Sequence, residues 1–232
     1  MSSSATGPGD VPSLASATTP GEVPGLNIHA DPGAARAEDI RLITSNIAIG
    51  SRLLASSLAF LFIAYLFAFF YLKTVNSNGL WRPKGVQPVQ SWGIAVLVLT
   101  ILCTVVFDAA RRGLVDGREA RWRGSSLTAL GIGLLVVVAQ GLEYATITFK
   151  TDNGGWASVF WGWTVVLLLF WLGALYWIET LVAQSIRRPP AAPRQGTAGS
   201  ELLRPSADAA VVYLYTLALI GLISYVLLYL VK

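Results

Sequence analysis

Two polar side chains interrupt an apolar stretch of the sequence at a spacing that could support proton chemistry. Gln140 and Glu143 lie three residues apart within the run from Leu127 to Phe149. This run has the roughly 20 apolar residues that a helix needs to cross a hydrocarbon core about 30 Å thick. Residues three apart share a helix face, and Gly133 lies two turns earlier on the same side. We therefore expect this face to pack closely on another helix.

Two roles are open to Glu143. It could be a structural acid that is hydrogen-bonded to Gln140 or to a neighbouring helix, or a carboxylate that exchanges protons along a functional route. An acid within a membrane span normally faces protein and marks a partner or a functional position. A buried carboxyl group can be neutral at pH 7, and a neutral carboxyl group suits either role.

Three further charged residues lie near the ends of apolar runs, namely Arg52, Asp108 and Glu179. Asp108 and Arg112 are four residues apart, which predicts an ion pair on one helical face at the membrane edge. Arg52 is predicted to pair with Asp108 or Glu179, because an unpaired charge in a membrane is costly. Glu179 and Glu143 are predicted to lie at different depths, which argues against one paired-carboxylate site.

The chain has few other residues that could form a catalytic or metal site. It contains one cysteine, Cys103, and one histidine, His29, which do not make a metal-ligand set. We expect Cys103 to be a small buried apolar residue and His29 to be solvated. No nucleophile stands beside a base, and no Gly-rich phosphate loop follows a strand. We therefore expect no catalytic centre, cofactor or metal within this chain.

The composition indicates an integral membrane protein. Of its 232 residues 54% are hydrophobic and only 13% are charged, and the mean hydropathy is +0.58. A soluble domain carries about a quarter charged residues. The net charge of +4 could suggest a nucleic-acid partner, but the basic residues cluster between apolar runs. Orientation in the membrane explains this clustering better, so no nucleic-acid partner is expected.

The pattern of apolar runs predicts an all-α bundle of five transmembrane helices. Residues 1–40 are rich in small and polar residues and predict a disordered cytoplasmic tail without a signal peptide. Residues 41–232 form the predicted transmembrane domain, in which a Pro/Ala/Gly-rich linker precedes the fifth span. The predicted spans are about 47–72, 92–110, 127–149, 156–186 and 209–231.

The distribution of Lys and Arg predicts the orientation. Most of the 17 basic residues lie in the amino-terminal part, the loop between the second and third spans, and the loop between the fourth and fifth. The positive-inside rule then places the amino terminus in the cytoplasm and the carboxyl terminus outside. Glu143 falls in the outer third of its helix, whereas Arg52, Asp108 and Glu179 lie toward the cytoplasmic side.

Five short motifs, each weak by itself, occur in order between Arg52 and Leu230. They consist of Leu61, Phe62, Ala64 and Tyr65; Trp81, Pro83 and Pro88; Gln140, Glu143 and Tyr144; Ser158, Phe160, Trp161 and Thr164; and Tyr213, Tyr229 and Leu230. With the predicted helix number and orientation, they resemble subunit III of heme-copper oxidases, in the five-helix form of bacterial cytochrome c and quinol oxidases.

The sequence also departs from that family. The family's Ser-Glu pair falls on Leu53 and Leu54, and its two histidines fall on Leu167 and Phe170. Its Trp-His-Phe-x-Asp run falls on Leu214, Tyr215, Thr216 and Ala218. A proton relay needs several members, so these replacements favour the structural role for Glu143 and a scaffold role for the chain.

The resemblance implies a non-catalytic accessory subunit in a bacterial plasma membrane. The hemes and copper would belong to a catalytic partner subunit, which this bundle would stabilise. The bundle would border the proton-entry side of that subunit and hold phospholipids in a cleft between helices. The alternative is an orphan membrane scaffold or assembly protein without an oxidase partner. A small transporter that uses Glu143 is a third reading, but no broken helix pair or inverted repeat supports it.

Overall fold

The computed structural model describes residues 32–75, 81–187 and 202–231, with side chains from residue 38 onward. Over these ranges the chain forms five long helices followed by one π-helical turn, and no strand. The elements are α1 (Pro32–Val75), α2 (Gln90–Val115), α3 (Glu119–Thr146), α4 (Gly155–Arg187), α5 (Leu203–Tyr225) and the π turn (Val226–Leu230). All five helices are long and apolar enough to cross a membrane. The predicted all-α architecture with five spans is confirmed.

Helix α1 begins inside the segment that was predicted to be a tail. Its first residue is Pro32, and proline is favoured at the first helical position because its φ is already fixed near the helical value. Several of the residues that follow are Ala or Arg, which are good helix formers. The remainder of the predicted tail, including His29, and most of the linker that precedes α5 lie outside the described residues.

Helix α3 ends three residues before the predicted boundary at residue 149. Ile147 has φ −70° and ψ 129°, which is extended backbone. The predicted span of about 127–149 followed hydropathy alone, which does not determine the residue at which a helix ends. Phe149 is nevertheless buried, since its ring packs 5.5 Å from that of Phe160.

The predicted close packing of the Gly133 face is confirmed. A Cβ atom at Gly133 would collide with the side chain of Leu175 in α4. The approach lets Trp171 Nε1 donate a hydrogen bond to the Gly133 carbonyl oxygen at 3.2 Å. Cys103, which was predicted to be buried, is fully buried, and its Sγ donates to the carbonyl oxygen of Ala129 at 3.2 Å.

The loop between α1 and α2 is fastened to the start of α4. As its prolines predict, residues 81–89 are not helical. The Arg82 guanidinium lies 4.3 Å from the centre of the Trp156 ring, and Arg82 Nε donates to the carbonyl oxygen of Val86 at 3.0 Å. Burial lowers the pKa of Arg82. The Trp156 backbone N–H donates to the Trp81 carbonyl oxygen at 2.9 Å, so the loop and α4 share backbone as well as side-chain contacts.

Candidate functional site

Glu143 lies on the buried face of α3, and only 1% of its surface is exposed. Gln140 Nε2 donates to Glu143 Oε2 at 2.6 Å, so the hydrogen bond expected from their spacing is present. One helical turn separates the two residues, which lets the amide meet the carboxyl group without strain. A buried carboxyl group is tolerated only when its oxygens are hydrogen-bonded, and Gln140 satisfies one of them.

The second oxygen of Glu143 is satisfied from the other end of the sequence. The Tyr229 hydroxyl donates to Glu143 Oε1. Tyr229 belongs to the π turn that follows α5, and such turns are frequent at functional positions because they redirect a side chain. The Tyr229 ring packs 6.0 Å from Phe160 and 5.4 Å from Tyr225. These rings and the carboxyl group hold the hydroxyl in place.

A glycine in α2 makes room for the Tyr229 ring. Any Cβ atom at Gly93 would clash with ring atoms of Tyr229. Helix α2 therefore passes close to the π turn at this point. The buried site around Glu143 is thus built from α3, the π turn and the glycine gap in α2.

A second polar cluster surrounds Asp108, which is 4% exposed. The predicted ion pair with Arg112 is confirmed, since Arg112 Nη2 lies 2.6 Å from Asp108 Oδ2. Arg111 Nε also donates to Asp108 Oδ1 at 3.0 Å. Arg111 Nη1 reaches Asp208 Oδ1 of α5 at 2.9 Å. The cluster therefore satisfies both Asp108 oxygens and links α2 to α5.

The expected ion pair of Arg52 requires correction. Among the described residues, Asp108 takes its ionic partners from its own helix, and no ion pair joins Arg52 to Asp108 or Glu179. The physical reason is that Arg111 and Arg112 lie three and four residues from Asp108 in the same helix. They therefore reach its carboxylate without any contribution from α1. Glu179 is exposed. Arg52 instead borders an open cleft between α1 and α5.

The two clusters lie at opposite ends of the hairpin formed by α2 and α3. Asp108 is close to the turn that joins these helices, whereas Glu143 is close to the far end of α3. The structure therefore brings Gln140 to Glu143 but keeps Asp108 apart from them. Sequence reasoning missed Tyr229, Arg111 and Asp208 as partners. Only Arg111 had a local signal, since it is three residues from Asp108.

The arrangement around Glu143 supports hydrogen bonding and proton exchange. Glu143 is an acid with a hydroxyl donor on one oxygen and an amide donor on the other. In the part of the chain that the structure describes, no three His, Cys, Asp or Glu side chains are grouped as metal ligands would be. The Cys103 thiol is occupied with a backbone carbonyl and is buried away from solvent.

The amino-acid sequence matches the model of a known protein family. The model of the family "Cytochrome c oxidase subunit III" matches residues 31–183, which include α1, α2, α3 and most of α4. Helix α5, which supplies Asp208, and the π turn with Tyr229 lie beyond the matched residues.

Individual relatives carry the same name. Cytochrome c oxidase subunit 3 of Kluyveromyces lactis is 27% identical over 146 residues, 58% of this chain and 54% of the relative. The subunit 3 proteins of Cyanidium caldarium (29% over 118 residues, 48% of this chain and 43% of the relative) and Didelphis virginiana (24% over 133 residues, 55% and 47%) are similar. The chain spans about half the length of these relatives. Since the family model covers well over half of this chain, the chain belongs to the cytochrome c oxidase subunit III family.

Proposed function

We propose that this chain is a non-catalytic accessory subunit of a heme-copper oxidase or of a closely related respiratory complex. Its role is to stabilise the catalytic subunit, to border the proton-entry side of that subunit and to hold phospholipids between helices. Hemes and copper belong to the partner. The observation that carries the proposal is the family match across α1 to α4. The interior supports it, because each of the two polar clusters is bonded internally. Arg111 bonds to Asp208 in the cluster around Asp108, and Tyr229 bonds to Glu143 in the other cluster.

We place the amino terminus in the cytoplasm and the carboxyl terminus outside, in a bacterial plasma membrane. Support for the orientation comes from the α2–α3 turn, where Arg111, Arg112, Arg118, Arg121 and Arg123 fall within 13 residues of sequence. Such clusters stay on the cytoplasmic side. The bacterial location rests on the resemblance to the five-helix form, whereas the relatives named above are eukaryotic.

Helix α1 offers the surface on which we place the catalytic subunit. Only 17% of the most apolar 18-residue stretch of α1 is buried within the chain, compared with 44% of the corresponding stretch of the helix that begins at Leu203. Phe60 and Phe67 are 73% and 72% exposed. Aromatic side chains dominate contact energies at protein interfaces, so these two residues are the proposed anchors.

Purification in a mild detergent tests the proposal. When the tagged chain is purified from native membranes, a second chain that shows heme absorbance should copurify with it. Phe67→Ala should lower the heme recovered per tagged chain, whereas Tyr176→Ala, which removes a similarly exposed ring from α4, should not. Recovery of the folded chain without any heme absorbance would reject the accessory-subunit proposal and favour an orphan scaffold. Loss of heme from Tyr176→Ala alone would instead move the interface to α4.

A further inference from the structure

Four helices and the π turn line a partly open cavity of about 50 Å³ next to Glu143. Most of its wall is apolar, but it also includes side chains with a hydroxyl or amide group: Thr100 of α2, Gln140 of α3, Thr164 of α4, Ser224 and Tyr225 of α5, and Tyr229 of the π turn. Gln140 and Tyr229 are the two residues that bond to Glu143. The cavity therefore adjoins the buried acid through both of its hydrogen-bond partners.

Some of these polar groups already have partners within the protein. The Thr164 hydroxyl donates to the carbonyl oxygen of Phe160 at 2.8 Å. The Ser224 hydroxyl donates to the carbonyl oxygen of Ile220 at 2.6 Å and accepts a hydrogen bond from Trp163 Nε1 at 2.6 Å. These groups retain only a spare lone pair for a further donor.

Two other polar groups that line the cavity have no such partner. Within the described part of the chain, neither the Thr100 hydroxyl nor Gln140 Oε1 takes part in a hydrogen bond as donor or acceptor, although Thr100 is 6% and Gln140 7% exposed. The two residues are largely buried, but these two atoms are not among the fully buried ones, and a polar atom that lines such a cavity is normally satisfied by protein or ordered water. These two groups therefore call for a polar ligand in the cavity.

The size of the cavity decides which polar ligand fits. A buried water needs about 10–15 Å³ of such space and two to four polar partners, so the cavity accommodates roughly three to five waters. We propose that the cavity binds a cluster of ordered water molecules, which is anchored by Thr100 and Gln140 and reaches the Tyr229 hydroxyl. Glu143 is then in contact with water through Tyr229, although its own surface is buried.

This arrangement provides a path for one proton from the water cluster, through Tyr229, to Glu143. A protonated water of the cluster donates its proton to Tyr229 Oη, while the Tyr229 hydroxyl proton passes to Glu143 Oε1. The products are a neutral water, a neutral tyrosine and a protonated Glu143, so atoms and charge balance. Two further titratable groups lie near the pair: Tyr144, which follows Glu143 in α3, and Tyr225, whose ring lies 5.4 Å from that of Tyr229. The inference concerns only residues of this chain and does not depend on the proposed oxidase partner.

Radiolytic hydroxyl-radical footprinting of the full-length protein in lipid nanodiscs tests for the waters, because radicals form wherever water is bound. Trp171 lines the cavity and is 4% exposed, whereas Trp122 is 0% exposed and does not line the cavity. We expect Trp171 to be oxidised several times faster than Trp122. Equal oxidation of the two tryptophans would overturn the proposal, since it would show a dry cavity.

A pair of matched variants tests the anchor. Thr100→Val removes the hydroxyl that faces the cavity, whereas Thr104→Val removes a hydroxyl one turn away that bonds to the Thr100 carbonyl oxygen. Thr100→Val should lower the oxidation rate of Trp171 by up to about fivefold, the factor that corresponds to one hydrogen bond. Thr104→Val should leave that rate unchanged. An equal effect of both variants would contradict the assignment of Thr100.

Infrared difference spectra test the proton path separately. A carboxyl band should change either on acidification or on transfer to D₂O, and the Glu143→Gln variant should lack this change. If neither treatment alters a band that depends on Glu143, the acid is sealed from water and the proposed path does not exist.

Discussion

Replacement of Tyr229 by phenylalanine would measure how much the Glu143 site contributes to the stability of the bundle. The substitution removes only the hydroxyl group that donates to Glu143 Oε1. The ring contacts with Phe160 and Tyr225 remain, at centroid distances of 6.0 and 5.4 Å. The change in stability therefore reports the hydrogen bond and the state in which its acceptor is left.

The magnitude follows from the burial of Glu143. Hydrogen bonds between membrane helices contribute about 0.5–2 kcal/mol each. The carboxyl group is 1% exposed, so Oε1 would remain buried without a donor, and we expect a total loss of about 1–3 kcal/mol in the free energy of unfolding. Reversible unfolding in mixed micelles that contain SDS, followed by tryptophan fluorescence, measures this loss.

Tyr225→Phe is the matched control for this measurement. Its hydroxyl accepts a single exposed hydrogen bond from Gln90 Nε2, at 3.3 Å, so its removal should change the free energy of unfolding by less than about 0.5 kcal/mol. The reasoning would be refuted if Tyr225→Phe and Tyr229→Phe destabilised the protein equally, or if Tyr229→Phe had no effect.

Three further outcomes are expected. Glu143→Gln should assemble and support turnover like the parent, whereas Glu143→Leu should lower the free energy of unfolding by about 2–6 kcal/mol because two buried donors lose their acceptor; slow turnover in a normally assembled Gln variant would instead show that proton exchange matters. Arg111→Leu and Arg112→Leu should each cost about 1–3 kcal/mol in the same assay, because each leaves one oxygen of the buried Asp108 carboxylate without its donor, and Arg111→Leu should cost more because it also removes the bond to Asp208; the reverse order would contradict the proposed link between α2 and α5. Reporter fusions after residues 194 and 232 should report opposite sides of the membrane, and a common side would exclude the five-span topology.

Hydropathy was sufficient to predict the five helices because each apolar run is long enough to cross a bilayer. The contacts that sequence reasoning anticipated are local ones. Gln140 with Glu143 and Asp108 with Arg112 lie one helical turn apart, so the α-helix itself brings them together. The residue at which α3 ends is not determined by hydropathy, because an apolar run can continue beyond the last helical turn.

Partners that lie far apart in sequence could not be predicted. Tyr229 is 86 residues from Glu143, and Asp208 is 97 residues from Arg111. Both contacts depend on how the helices pack. The contact between Tyr229 and Glu143 also depends on a π turn, which the residue pattern does not predict. The expected pairing of Arg52 failed for the related reason that depth in the membrane does not determine which helices are neighbours.

The two links to the carboxyl-terminal part of the chain also have a consequence for biogenesis. A ribosome adds about 5–20 residues per second, so Arg111 and Glu143 are made roughly 4–20 s before the residues that complete their hydrogen bonds. During that interval both polar groups depend on temporary partners such as water or the insertion machinery. When α5 and the π turn enter the bundle, Asp208 bonds to Arg111 of α2 and Tyr229 bonds to Glu143 of α3. A nascent chain that stalls before residue 203 retains an incompletely bonded acid in the membrane, which is a feature that cellular quality control can recognise.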